Sequence, residues 1–253
     1  MKCLNKIYNE DCLEGMKDIP DKSIDCIICD LPYGTTPCKW DSIIDFNLLW
    51  EQYERIIKDN GAICLFGQEP FSSLLRCSNI KLYKYDWYWQ KERLTNVFQV
   101  KRRPGKVIEC ISIFYKKQPT YNPQMTNYEG QKVTNKIGKN AKFSITQSVS
   151  IKQPTIYNDN GTRYPLQVLR INRDSMYDER LHPTQKPIEL IEYLIKTYSN
   201  EGDIILDNCI GSGTTAVAAM NTNRNFIGFE LDKNYFDIAI KRIENLLPKG
   251  GNK

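Results

Sequence analysis

DIILDNCIGSGTTAV, residues 203–217, passes from an apolar strand through a glycine turn into a helix, and its reading decides the fold. DIILD has the length and content of a buried strand, and TTAV opens a helical run. Between them, Gly211, Ser212 and Gly213 allow a ligand to approach the backbone closely. No lysine follows the glycines, so the turn is not a phosphate-cradling P-loop, and the third glycine of G-x-G-x-x-G is missing. The next strand, NFIGFE, ends at Glu230, 23 residues after Asp207. An acid about 20 residues beyond such a turn suits two ribose hydroxyls. Turn, absent lysine and downstream acid together describe a pocket for a nucleoside cofactor without phosphates, and S-adenosylmethionine fits.

Outward from this unit, strand-like and helical runs alternate. SIDCIICD, AICLFG, YDWYWQ and ECISIFYKK read as strands. DFNLLWEQYERIIKDNG reads as a helix with Leu49, Tyr53, Ile56 and Ile57 on one face and Gly61 as its stop. PIELIEYLIKTYSNEG and the terminal NYFDIAIKRIENLL are helical. The alternation implies an α/β fold: a mostly parallel sheet with helices on both faces. Residues 118–180 break the pattern, being polar, rich in Asn, Gln, Thr, Lys and Tyr, and without a long apolar run. They read either as a mobile loop region or as a recognition insert on the sheet's working edge. The expected division is a catalytic domain of residues 1–117 and 181–253 around an insert of 118–180.

The chain has 253 residues, 41% hydrophobic and 26% charged, enough for one large α/β domain. No run approaches the roughly 18 apolar residues of a membrane span, and MKCLNKIYNE lacks the apolar core of a signal peptide. A soluble, cytoplasmic protein is expected. Nine cysteines lie scattered without a framework spacing. Cys26 and Cys29 form a C-x-x-C, but residues three apart on a strand face opposite ways and no second pair completes a zinc set. Small core residues, and no metal, are expected. The net charge of +5 is uneven: residues 81–180 hold 19 Lys and Arg against 8 Asp and Glu. A basic middle in an otherwise acidic chain points to a polyanion.

CIICDLPYG, residues 26–34, carries a buried strand into Asp30, Leu31, Pro32 and Tyr33. A carboxylate, a stiffened backbone and a ring at a strand end suit a site better than a turn. Here the chain resembles the amino-directed DNA methyltransferases, in the group whose catalytic motif precedes the cofactor loop. DLPYG looks like that family's D-P-P-Y motif, DNCIGSGTT like its cofactor loop, and HPTQKP (residues 182–187) like a hallmark segment; NEDCLEGM near the start agrees in order. The resemblance covers nearly all of residues 4–117 and 180–245. It implies a Rossmann-like, seven-stranded, circularly permuted methyltransferase fold, with S-adenosylmethionine as cofactor and double-stranded DNA as substrate.

By that resemblance, Asp11 and Cys12 border the cofactor's adenine, and Asp207 and Gly211, Gly213, Thr214 and Thr215 its methionyl part. Glu230 holds its ribose, and Lys186, with His182 and Thr184, closes the pocket. Asp30 and the Leu31 carbonyl would each accept a hydrogen of an extruded base's amine, and Tyr33 would stack on that base. With an ordinary aspartate pKa near 3.9, Asp30 would be ionised at neutral pH. Pro32 would hold the turn. Leu31 replaces the family's proline, keeping the carbonyl and an extended backbone before Pro32 but losing some stiffness. His182, the only histidine, is assigned to the pocket rather than to base catalysis. Lys101, Arg102, Arg103 and Lys106 are expected on phosphates, and Arg163, Arg170 and Arg173 on the target sequence. Asp at the first motif position leans toward adenine N6. Cytosine N4, protein amide methylation and a non-catalytic DNA-binding module are the alternatives. The resemblance leaves room for a homodimer and a cognate restriction nuclease.

Overall fold

The computed structural model describes residues 2–34, 41–127, 135–137, 155–157, 161–173 and 185–246. The chain forms two compact units, Met1–Asn122 with Gln167–Lys253, and Pro123–Leu166. The inserted unit is thus narrower than the 118–180 expected from composition. Arg170 and Arg173 belong to the larger unit, Arg170 as the last residue of a strand and Arg173 just beyond it.

In chain order the larger unit contains β1 (Lys6–Tyr8), α1 (Cys12–Lys17), β2 (Ile24–Cys29), α2 (Phe46–Ile56), β3 (Ile57–Gly67), α3 (Phe71–Ser78), β4 (Tyr83–Gln90) and β5 (Ile108–Phe114). The smaller unit holds two short antiparallel pairs: β6 (Thr126–Asn127) with β9 (Thr162–Arg163), and β7 (Asn135–Ile137) with β8 (Thr155–Tyr157). The larger unit resumes with β10 (Val168–Arg170), α4 (Ile188–Tyr198), β11 (Ile204–Asp207), α5 (Thr214–Asn221), β12 (Asn225–Phe229) and α6 (Lys233–Leu246).

Eight strands make one sheet in the order β1-β12-β11-β2-β3-β5-β4-β10. Only β5 runs against its neighbours. The eighth strand, β10, adds to the seven expected by pairing parallel to β4, Leu169 opposite Trp89. Three residues with an exposed-buried-exposed pattern gave no run for periodicity to detect.

The apolar stripes cover both faces. Leu190, Ile191, Leu194 and Ile195 of α4 pack with Ala216, Ala218 and Ala219 of α5 against one face. Met16, Leu49, Tyr53, Phe71 and Leu75 of α1–α3 cover the other. Cys26 and Cys29 are both buried, one in each core, as small apolar side chains pointing to opposite faces. Among the described residues, no group of His, Cys, Asp or Glu could hold a metal ion and no helix is long and apolar enough to cross a membrane.

The helix expected to reach Gly61 ends at Ile56, and β3 begins at once. Ile24 pairs with Ile57 and Cys26 with Ala62, so residues 58–61 bulge from the ladder. A Cβ on Gly61 would lie 2.8 Å from the Asp25 carbonyl, so glycine is needed for close backbone approach, not as a helix stop.

Tyr198 ties α4 to the sheet. Its hydroxyl accepts the Trp87 indole N–H at 2.6 Å and lies 2.9 Å from that of Tyr85. Tyr198→Phe leaves the buried Trp87 donor without its partner, and should cost about 1–3 kcal/mol. Urea unfolding should show a lower midpoint at unchanged slope.

Candidate active site

β11 and β2 are parallel neighbours, Ile205 opposite Cys26 and Leu206 opposite Ile27. From β11 the chain crosses through α5 to β12 on one side, and from β2 through α2 to β3 on the other. The sheet therefore reverses its winding between them, where α/β proteins place ligands at the carboxyl ends of the strands. A cavity of about 870 Å³ opens there. Asp11, Cys12, Asp30, Leu31, Pro32, Tyr33, Lys186, Asp207, Gly211, Thr214, Thr215 and Glu230 all line it. Gly213 is not part of the lining. His182 and Thr184 lie outside the described residues.

The glycine turn is fixed from both ends. Asp207 is buried; its Oδ2 accepts the Thr215 hydroxyl at 2.6 Å and its Oδ1 the Cys209 N–H at 3.1 Å. Burial pushes its carboxyl up to about 7. Gly211 has φ +55° with no atom within 4 Å of where a Cβ would stand, so its backbone faces open space. Gly213 has φ +83°, and a Cβ there would press on the Ala239 Cβ at 3.0 Å. One glycine exposes the backbone to the cavity and the other lets α6 close behind it. Glu230 accepts the Gly211 N–H at 2.8 Å and the Asp232 N–H at 2.8 Å, which aims its carboxylate across the turn. Burial raises its pKa, opposed by those N–H groups. Asp11 caps α1, accepting from Leu13 N–H at 2.8 Å, so its side chain also shapes the cavity wall.

At the end of β2, Asp30 sits in a network of charges. Its Oδ1 accepts the Tyr33 hydroxyl at 2.5 Å, and its Oδ2 the Lys186 ammonium at 2.5 Å. Lys186 also lies 2.8 Å from Glu109, which pairs with Lys91 at 2.6 Å. Gln68 donates to Glu109 at 3.2 Å. Burial works against the charge on Glu109, but Lys186 and Lys91 pull its carboxyl down to about 2. Burial also opposes the Lys186 charge, yet Asp30 and Glu109 hold its pKa above the ordinary lysine value. For Asp30, burial raises the pKa, Lys186 lowers it and Glu109 raises it further, with a net upward shift. It is therefore not the ordinary aspartate expected from sequence. Tyr33 is already packed, its ring 4.8 Å from that of Phe71. Asp41 accepts the Tyr33 and Gly34 N–H groups at 2.7 and 2.9 Å, fixing the turn after Pro32.

Glu109, Lys91, Asp41 and Asn208 were missed in the sequence. Asn208 accepts the Tyr53 hydroxyl at 2.5 Å and its amide lies 3.5 Å from the Cys12 sulfur, bracing the cavity floor. The readable signal for Glu109 was a charge heading the apolar strand ECISIF. The residues expected on DNA divide. Arg103, Lys106 and Arg173 line the cavity. Lys101, Arg102 and Arg170 are exposed. Arg173 pairs with Glu92 at 3.1 Å, and Arg163 lies on β9 of the smaller unit.

The family model for DNA methylases directed to N6 and N4 amines matches residues 24–241. The chain belongs to that family. The methylase is 27% identical to the type II methyltransferase M.BglII of Bacillus subtilis, over 93% of this chain and 68% of the relative. It is 29% identical to the DNA adenine methyltransferase YhdJ of Escherichia coli (strain K12), over 94% and 82% respectively. Among solved structures, the M1.HpyAVI–SAM complex matches with a TM-score of 0.61 and 27% identity, over 94% of this chain and 98% of that one. The PvuII cytosine-N4-specific DNA methyltransferase shares the fold, with a TM-score of 0.68 at 15% identity over 98% and 88%.

The charge network gives a direct titration test. Lys186 is the cation opposing the upward shift of Asp30, so removing it leaves burial and Glu109 unopposed. Carboxyl-carbon NMR should place the Asp30 midpoint above the ordinary aspartate range, and higher still in Lys186→Met. An unchanged midpoint in that variant would contradict the network.

Proposed function

We propose that the methylase transfers a methyl group from S-adenosylmethionine to the exocyclic N6 amine of an adenine extruded from double-stranded DNA. The observation that carries this reading is Asp30, a partly buried carboxylate with one oxygen anchored by an ammonium and the other held by a hydroxyl, at the end of the strand beside the cofactor turn.

The cavity fits the cofactor. Its lining from the glycine turn, from Glu10–Leu13 and from Glu230, Leu231 and Tyr235 contains carboxylates and no lysine or arginine. That suits a ligand with hydroxyls and positive charge and no phosphates. Glu230 would hold the ribose hydroxyls, the open backbone at Gly211 the methionyl part, and Cys12 the adenine edge. S-adenosylmethionine supplies a methyl group carried on a positively charged sulfur.

An aromatic amine is a weak nucleophile because its lone pair is delocalised into the ring. On substrate entry the amine would replace the Tyr33 hydroxyl at Asp30 Oδ1, and the Leu31 carbonyl would accept its second hydrogen. Both contacts favour a tetrahedral nitrogen with its lone pair directed at the methyl group. As the new N–C bond forms, positive charge develops on nitrogen and is stabilised by the Asp30 carboxylate. The upward-shifted pKa of Asp30 suits it to take the amine proton afterwards. Lys186 stays on Oδ2 and keeps the carboxylate oriented. Released from Asp30, the Tyr33 hydroxyl would keep its contact to Glu109 at 3.3 Å, and its ring would face the base. The name of the Escherichia coli relative supports adenine as the base.

Incubation with methyl-labelled cofactor and DNA, followed by digestion to nucleosides, tests the reaction. Label in N6-methyldeoxyadenosine is expected; label in N4-methyldeoxycytidine would overturn the base assignment. Asp30→Ala should lower the single-turnover rate by about 10²–10³-fold or more, with the cofactor dissociation constant unchanged by calorimetry.

Sequence selection would fall to the inserted segment with Arg163, and to Arg170 and Arg173 on the strand edge that follows it, and general phosphate affinity to Lys101, Arg102, Arg103 and Lys106. Neutralising Lys101, Arg102 and Arg103 together should flatten the salt slope of DNA binding by about 0.9 per lost phosphate contact, leaving the methylated sequence unchanged. Substitutions in the insert should alter that sequence, as read by mapping methylated positions across a genome.

A further inference from the structure

The segment joining β4 to β5 has a feature that methyl transfer does not use. Its neck is closed by Lys91 N–H donating to Val107 O at 2.8 Å and Thr95 N–H to Lys106 O at 2.9 Å. Asn96 clamps it again, accepting the Lys106 N–H at 2.6 Å and donating to Pro104 O at 2.9 Å. Arg102 and Arg103 N–H groups fold back onto Gln99 O at 2.9 and 3.0 Å. The result is an ordered turn, and on its tip Phe98 is wholly exposed, at 101% of its reference surface. Val97 and Val100 beside it are 59% and 46% exposed. Lys101, Arg102 and Arg103 follow directly and are exposed too.

Position gives this tip a meaning. Phe98, Gln99, Arg103 and Lys106 line the same cavity as Asp30. A loop clamped at its neck holds the ring in water rather than tucking it away, while three consecutive cations give it complementarity to a polyanion. Apolar side chains set among cations are the kind that enter a base stack. An enzyme that extrudes its target also leaves a gap in the duplex and must offset the lost stacking and pairing. We infer that Phe98 enters the base stack at the target position and occupies the space of the extruded base, with Lys101, Arg102 and Arg103 on the flanking phosphates. Phe98 is on this account a positioning residue. The inference rests on the base-extruding methylation proposed above.

The test uses a duplex containing the site mapped for the wild-type enzyme, and the same duplex with an abasic position opposite the target base. The second substrate has already lost the pairing that extrusion must break. Phe98→Ala should methylate the paired duplex about 10- to 100-fold more slowly in single turnover. It should approach the wild-type rate on the abasic duplex, with its cofactor affinity unchanged. Phe98→Trp should stay close to wild type on both. A Phe98→Ala rate equal to wild type on the paired duplex would overturn the inference. So would an equal loss on both substrates, which marks a role in general binding. A wild-type enzyme that methylates no DNA would overturn the proposed function and this inference with it, an outcome distinct from either of those.

Discussion

A buried carboxylate, Glu109, and a partly buried one, Asp30, stand near each other at the carboxyl end of the strands with an ammonium between them. Lys186 lies 2.5 Å from Asp30 and 2.8 Å from Glu109, and Lys91 balances the second carboxylate at 2.6 Å. An unpaired charge in such a place is strongly unfavourable, and breaking a buried pair typically costs 3–5 kcal/mol, about the scale of a domain's spare stability. The cluster joins the end of β2, the start of β5, the residue after β4 and the segment leading into α4. Four distant stretches of chain must be correctly placed before any of these charges is compensated. The geometry of the site is therefore a condition of the fold.

The wider cavity shows a polarity that follows the strand order. Glu10, Asp11, Asp207 and Glu230 come from the β1, β12 and β11 half of the sheet. Lys91, Arg103, Lys106 and Arg173 come from the β4, β5 and β10 half, where Glu109 is also present but paired with Lys91. The acidic half suits a cationic donor and the basic half a polyanion, so the two substrates of the proposed reaction meet where the field changes sign. No single segment carries this pattern.

Much of the sheet was legible because strands buried on both faces read as continuous apolar runs, as in CIIC and AICLF. Asp30 and Glu230 were legible because a carboxylate closing such a run has few structural uses. What escaped depends on neighbours that only the sheet order supplies. Glu109 gains its significance from Lys186, 77 positions away in the chain, and Asn208, in the turn after β11, from Tyr53 on α2. The misread Gly61 shows the limit of a local rule: a glycine after a helical run reads as a stop, whereas its cause here is the Asp25 carbonyl on the adjacent strand. The raised pKa of Asp30 belongs to the same class, since burial is a property of the folded molecule.

The seams of the inserted segment have a consequence of their own. Just before it, Asn122 donates its backbone N–H to Thr197 O at 2.8 Å and its side-chain amide to Ser199 O at 3.1 Å, fastening the chain to the end of α4. Just after it, Gln167 donates to Asp86 O at 2.5 Å and accepts the Tyr88 N–H at 2.9 Å, setting the register of β10 on β4. With both borders fastened to the large unit, the alignment of the sheet does not depend on the length of the forty-odd residues between them. A change of length between Pro123 and Leu166 would therefore add only loop-closure entropy, about 0.6 kcal/mol per doubling, and leave the strand order of the sheet untouched.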